Sequence, residues 1–198
     1  MKQVSRMETR YDTTTIVFHW VMAILLVFQW LWAQVIDWFP RGPLRVDARS
    51  VHITLGVLLV ALLAGRIIWR LTKGRQLPPS NSGILAHVAK ATHMTFYFLL
   101  AAMMLVGLAL TWARGDSIFN LFHIPVYSVE AHALRDQVQA VHAAIGWAIV
   151  AVAGVHTVAA LGHRYILRDS VLNRMLVKRP EISNRQNSPH ERIRSGAN

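Results

Sequence analysis

Ten histidines and no cysteine stand in this chain of 198 residues. Imidazole is the commonest metal ligand in proteins and titrates near neutrality. A histidine inside an apolar stretch is costly and marks function. Four of the ten, His19, His52, His142 and His156, lie in or at the edge of such stretches. His142 and His156 are 14 residues apart, and on a helix that spacing returns to within about 40° of the starting azimuth while advancing ~21 Å. Two imidazoles facing one way at two depths suit two stacked metal centres, and His-only sites take chiefly haem iron, copper or zinc. The residues four places after these histidines are Ala23, Gly56, Gly146 and Ala160. All are small, which favours the bulk of a porphyrin. His87 also precedes a small residue, Ala91, whereas His93, His123, His132 and His163 precede Tyr97, Tyr127, Asp136 and Leu167. Two imidazoles from facing helices fill both axial positions of a haem iron, which closes it to oxygen and leaves electron transfer. Zinc fits less well, because its sites take three or four protein ligands and each pair offers two without an intramembrane carboxylate. Hydrogen bonding between helices is the plain alternative.

Other residues are candidates for supporting roles. His163 follows His156 by seven residues on the same face, and it suits either a quinone headgroup contact or a solvated interfacial position. His87 and His93 are candidates for a quinone or haem-propionate contact, while His123, His132 and His190 read as solvated loop or tail residues. Arginine pairs bidentately with carboxylates, which makes Arg10, Arg49 and Arg66 candidate propionate partners, against plain headgroup contact. Trp20, Trp30, Trp32, Trp38, Trp69 and Trp112 fall near the ends of apolar stretches and read as an interfacial aromatic belt.

The elements that position these residues follow from composition. The chain is 54% hydrophobic and 16% charged, well below the roughly 25% charged of a soluble domain. Its mean hydropathy is +0.33. Without cysteine, disulfides, Cys-zinc sites, iron–sulfur clusters and c-type haem are excluded. Four stretches, residues 16–36, 53–69, 93–113 and 141–161, read as membrane spans, three of 21 residues and the second of 17, the lower limit for crossing a hydrocarbon core of ~30 Å. The second contains Arg66, one turn from Arg70 and able to snorkel. The first is too long for a secretory signal and lacks a small-residue cleavage site. Of the 21 Lys and Arg, 16 fall on the side of both termini and 5 on the other. The positive-inside rule therefore places both termini in the cytoplasm. That distribution assigns the net charge of +11 to membrane flanks, so no nucleic-acid partner is expected. The expected fold is all-α, an integral-membrane four-helix bundle over residues 1–179. Residues 114–139 form an outer loop with a short surface helix from Ser128 toward Gln139. Residues 180–198 form a polar cytoplasmic tail with too little apolar content to order itself.

Ile16-Val-Phe-His19-Trp20, His52-Ile-Thr-Leu-Gly56 followed by Arg66 and Arg70, His93-Met-Thr-Phe-Tyr97, and Val155-His156-Thr-Val-Ala-Ala-Leu161-Gly-His163 occur in this order and spacing. Together with Phe39-Pro40-Arg41 and the segment Tyr165 to Met175, they resemble the bacterial cytochrome b561 family from about Arg10 to Lys178. The resemblance implies an inner-membrane bundle holding two b-type haems, with axial pairs on His19 with His156 and His52 with His142. Depth alone gives the same pairs. It further implies quinone chemistry near His163 and, for some members, oxidation of superoxide at the outer face with electrons passed to ubiquinone. Arg41, Arg45 and Arg49 lie on that face and could attract a small anion. The alternatives are a cytochrome b subunit fed by a separate dehydrogenase or hydrogenase and, from another class, a His-based divalent-metal transporter.

Overall fold

Asp12 starts the first helix. Its carboxylate accepts the backbone N–H of Thr15 at 2.9 Å and the Thr15 hydroxyl at 2.7 Å, satisfying amides that the first turn leaves without partners. The computed structural model describes residues 10–78, 83–118, 122–123 and 132–176. In it, α1 runs Thr13–Val35, α2 Pro43–Thr72, α3 Ile84–Arg114 and α4 His132–Tyr165. Pro43 at the first turn of α2, preceded by Gly42 at φ 130°, turns the chain into that helix. Gly115 in the left-handed conformation closes α3. A two-residue antiparallel ladder, β1 (Ser117–Ile118) with β2 (Phe122–His123), follows α3. The fold is otherwise all-helical.

All four helices are long and apolar enough to cross a membrane, and large apolar side chains such as Ile24, Phe98, Leu105, Val155 and Val158 point outward. This is an integral membrane protein. The helices outrun the charge-free windows: α2, α3 and α4 have 30, 31 and 34 residues, or roughly 45–51 Å at ~1.5 Å per residue. Charged residues end the apolar window but not the helix, because intrahelical hydrogen bonding continues through the headgroup layer. For the same reason the expected surface helix before Gln139 differs from what is found. From His132 onward those residues are the first turns of α4, with no glycine or proline to separate them from the span, and Ser128 lies outside the described residues. So does the 180–198 tail.

Close packing occurs within two hairpins, α1 on α2 and α3 on α4, with a lighter α2–α3 contact. Polar side chains fasten the first hairpin at three heights. The Trp69 indole donates to Asp12 at 3.0 Å, Gln29 to the His52 carbonyl at 2.9 Å and Trp32 to the Ala48 carbonyl at 2.9 Å. Trp20 donates to the Met175 carbonyl at 2.8 Å, tying down the segment after α4, and Trp30 meets Trp147 edge-on at 5.0 Å. These tryptophans join parts of the protein, a role that the belt expectation did not include.

Candidate functional site

The four intramembrane histidines meet in two pairs, each bridging the hairpins. His19 on α1 and His156 on α4 have ring centres 6.5 Å apart. His52 on α2 and His142 on α4 have theirs 6.3 Å apart. The rings are 74° from coplanar in both pairs. These separations discriminate between metal geometries. With a metal–nitrogen bond of about 2.0 Å and about 1.2 Å from nitrogen to ring centre, two imidazoles trans on one metal stand ~6.4 Å apart, while tetrahedral ligation brings them to ~5.2 Å. Both pairs match the trans arrangement, as axial haem ligation requires. Among the described residues, no three His, Cys, Asp or Glu side chains gather as a metal-holding group. The Nδ1 atoms of His52 and His142 are buried without a hydrogen-bond partner, so neither Nδ1 is committed to the interhelical hydrogen bonding that is the plain alternative. The residues thus fit bis-imidazole haem.

The surroundings differ between the pairs. Gly107 on α3 lies against the His52–His142 pair, and a Cβ there would come within 3.2 Å of His142 Cε1. The small residues expected to make room for a porphyrin serve partly in packing. A Cβ on Gly56 would meet the Gln29 amide nitrogen, and one on Gly146 the Met103 methyl, each at 3.4 Å. Arg49 pairs with Asp116 at 3.2 Å and keeps its Nε buried and unpartnered. Arg114, the last residue of α3, donates to Gln139 on α4. Arg45 is 3.6 Å from Asp37, so two of the three arginines expected to attract an anion are already ion-paired.

At the His19–His156 pair, His93 on α3 packs 5.9 Å from His156, and Phe96 packs 5.7 Å from the same ring. A cavity of about 240 Å³ opens beside it, lined by Arg66, Arg70, Arg75, Lys90, His93 and Arg174 among others. Among the described residues, no acidic side chain lines that cavity. Arg66 therefore lies in a basic cavity beside the His19–His156 pair. Arg10 is not among the lining residues, and its carbonyl accepts from Arg75 at 3.3 Å. His87 bonds through Nδ1 to the Gly83 carbonyl at 2.9 Å, away from both pairs. The side chains of His123 and His132, and all of His190, lie outside the described residues.

His163, in the last turn of α4, hydrogen-bonds through Nδ1 to Asp169 at 2.5 Å. The chain reaches this contact by folding back through Arg168, at φ 54°, which lets the Asp169 amide donate to the His163 carbonyl at 3.0 Å. Burial pushes the Asp169 carboxyl up, but hydrogen bonds from the Val171 amide and from His163 outweigh it, and the net direction is down. Asp169 is thus an ionised acceptor that fixes the orientation of His163. Gln29, Gly107 and the closeness of His93 to His156 escape a histidine-centred reading. For Gln29 a signal existed, since it is a buried amide in the middle of a charge-free window.

A family model described as Prokaryotic cytochrome b561 matches residues 10–178. The chain is 31% identical over 179 residues to cytochrome b561 homolog 2 of Escherichia coli K12, covering 85% of this chain and 92% of that protein. It is 27% identical over 175 residues to a probable superoxide oxidase CybB of Yersinia pestis, covering 87% and 99%. Cytochrome b561 homolog 1 of Escherichia coli K12 is 28% identical over 177 residues, covering 86% and 98%.

Proposed function

The chain belongs to the prokaryotic cytochrome b561 family, a family of membrane electron-transfer cytochromes that carry haem b, and from that premise we propose that it is a di-haem cytochrome passing electrons from an outer-face donor, superoxide, to membrane ubiquinone. The observation that carries the reading is the pair of ring separations, 6.5 and 6.3 Å, both at the trans value. Support for superoxide comes from the likeness to a probable superoxide oxidase.

In this reading His19 and His156 hold the inner haem, and His52 and His142 the outer. A haem held at each pair would supply a one-electron iron couple. With Arg49 paired to Asp116, Arg114 leaves this end net cationic and would attract an anionic donor. Arg66, with the other cations of the inner cavity, meets propionate charge. Two superoxide radicals each lose one electron and leave as dioxygen, and those two electrons with two protons convert one quinone to quinol. His163, held by Asp169, is the proton-handling side chain for the quinone oxygen. The basic residues, 16 against 5 across the bilayer, support an inner-membrane protein with both termini in the cytoplasm and residues 1–179 as its membrane domain.

The test uses the purified full chain. Haem quantitation is expected to give two haems per chain. Superoxide added with a soluble ubiquinone analogue is expected to give one quinol per two radicals consumed. A single haem refutes the two-centre reading. Two haems with quinol no higher than the protein-free control refutes the donor–acceptor pair.

A further inference from the structure

Gln29 lies in the second half of α1, inside its apolar stretch and with 9% of its surface exposed, where a polar side chain is costly unless it does something specific. Its amide nitrogen donates to the His52 carbonyl at 2.9 Å across to α2. Its Oε1 is buried with no partner, as is His52 Nδ1. Opposite the amide, α2 carries Gly56, where a Cβ would stand 3.4 Å from the Gln29 nitrogen. That is ordinary contact, so the amide lies directly against this turn of α2, and a branched side chain at position 56 would take the space it occupies. The carbonyl that accepts is that of the histidine itself, so the bond fixes the height and rotation of this one residue against α1. The His19 to His156 pair has no counterpart among the hydrogen bonds of the described residues.

We propose that Gln29 is the positioning residue of the outer centre, locking the backbone of His52 so that its ring stays in trans register with His142. The proposal rests on His52 being an outer iron ligand. Without the lock, the His52 side of the iron opens part of the time and admits carbon monoxide, which a six-coordinate bis-imidazole haem excludes.

The experiment compares purified holoprotein of wild type, Gln29→Met and Gln29→Glu. Methionine keeps length and volume but cannot donate. A glutamic acid kept neutral in the bilayer retains an O–H donor. In Gln29→Met the carbon-monoxide-binding fraction of the outer haem is expected to rise about fivefold, the factor carried by one ordinary hydrogen bond, with the inner haem unchanged. Gln29→Glu is expected to restore the wild-type spectrum at pH 5. Equal carbon monoxide binding in Gln29→Met and wild type, or an equal change at both haems, overturns the proposal. If Gln29→Met does not accumulate, Gly56→Val displaces the amide from the α2 side with the same expectation, and a normal outer haem in that variant overturns it. His52→Ala separates the two levels of argument. Retention of both haems there removes the ligand assignment, whereas loss of one haem beside an unaltered Gln29→Met removes the Gln29 role alone.

Discussion

The inner site sets two rings against His156, and geometry selects between them. His19 stands at 6.5 Å and His93 at 5.9 Å. If each imidazole arm, bond plus half-ring, measures ~3.2 Å, then a separation of 5.9 Å requires a nitrogen–metal–nitrogen angle of roughly 135°, while 6.5 Å is met only by a straight line. Axial ligands of a porphyrin lie on opposite faces of a plane, so the bent pair is excluded by about 45°. His19→Ala should therefore remove the inner haem and take the count from two per chain to one. His93→Ala should leave two haems with only a modest spectral shift. By the same reasoning His156→Ala matches His19→Ala, and His52→Ala matches His142→Ala, each removing the other haem. The assay is a pyridine haemochrome count on purified variants, paired with reduced-minus-oxidised spectra to show which centre is lost. Loss of one haem in His93→Ala with both kept in His19→Ala would refute the trans argument. Loss of the same haem in His19→Ala and His52→Ala would refute the depth pairing.

Two other perturbations act on the scaffold. Gly107→Val should disable the outer centre alone, because even a Cβ would press to 3.2 Å from the His142 ring and the branched side chain carries two further methyls; an unaltered outer-haem spectrum would show that α3 does not confine that ring. Asp12 is predicted to give an acid-dependent fastening. Burial pushes its carboxyl up, but hydrogen bonds from the Thr15 hydroxyl and amide, the Arg75 amide and the Trp69 indole bring it from 3.8 down to about 2. A depressed carboxyl stabilises the fold above its unfolded value and loses that contribution as pH falls through the folded one, here between about pH 4 and pH 2. Discounted for solvent screening, the effect is about 1 kcal/mol. Asp12→Asn should thus be less stable than wild type at pH 7 in thermal unfolding, with the gap closing by pH 2, and a gap independent of pH would contradict this account.

Three of the four crossings were legible as charge-free windows of 21 residues, and the second as a 17-residue apolar stretch whose Arg66 is near enough to its end to snorkel. Helix ends were not, because charge sets depth in the bilayer while glycine, proline and capping side chains set where a helix stops. The same distinction displaced His93. It opens a charge-free window and so reads as interfacial, yet α3 begins at Ile84, and His93 sits more than two turns inside it, against His156. The histidine partnerships could be inferred because alternating helix direction fixes depth, and depth left one partner for each ring. Side-chain hydrogen bonds were beyond reach. Trp20, Trp32 and Trp69 have the positions of belt residues, and only the fold reveals the Met175 carbonyl, Ala48 carbonyl and Asp12 carboxylate that take their indole protons.

The packing order gives the proposed ligand set a consequence for assembly. Each hairpin has its own interface, α1 on α2 and α3 on α4, and the contact between hairpins is light. Both histidine pairs run across that lighter boundary, with His19 and His52 on the first hairpin and His156 and His142 on the second. Iron ligation on this assignment joins the hairpins at two heights ~21 Å apart along α4. Binding free energy that exists only when the hairpins are correctly apposed is folding free energy, as at structural metal sites. One haem alone would act as a hinge, because a single crossing fixes separation but not the angle between hairpins. Two crossings on one rigid helix fix both. The 14-residue spacing on α4 that suits electron transfer across the bilayer is therefore also the spacing that defines the bundle.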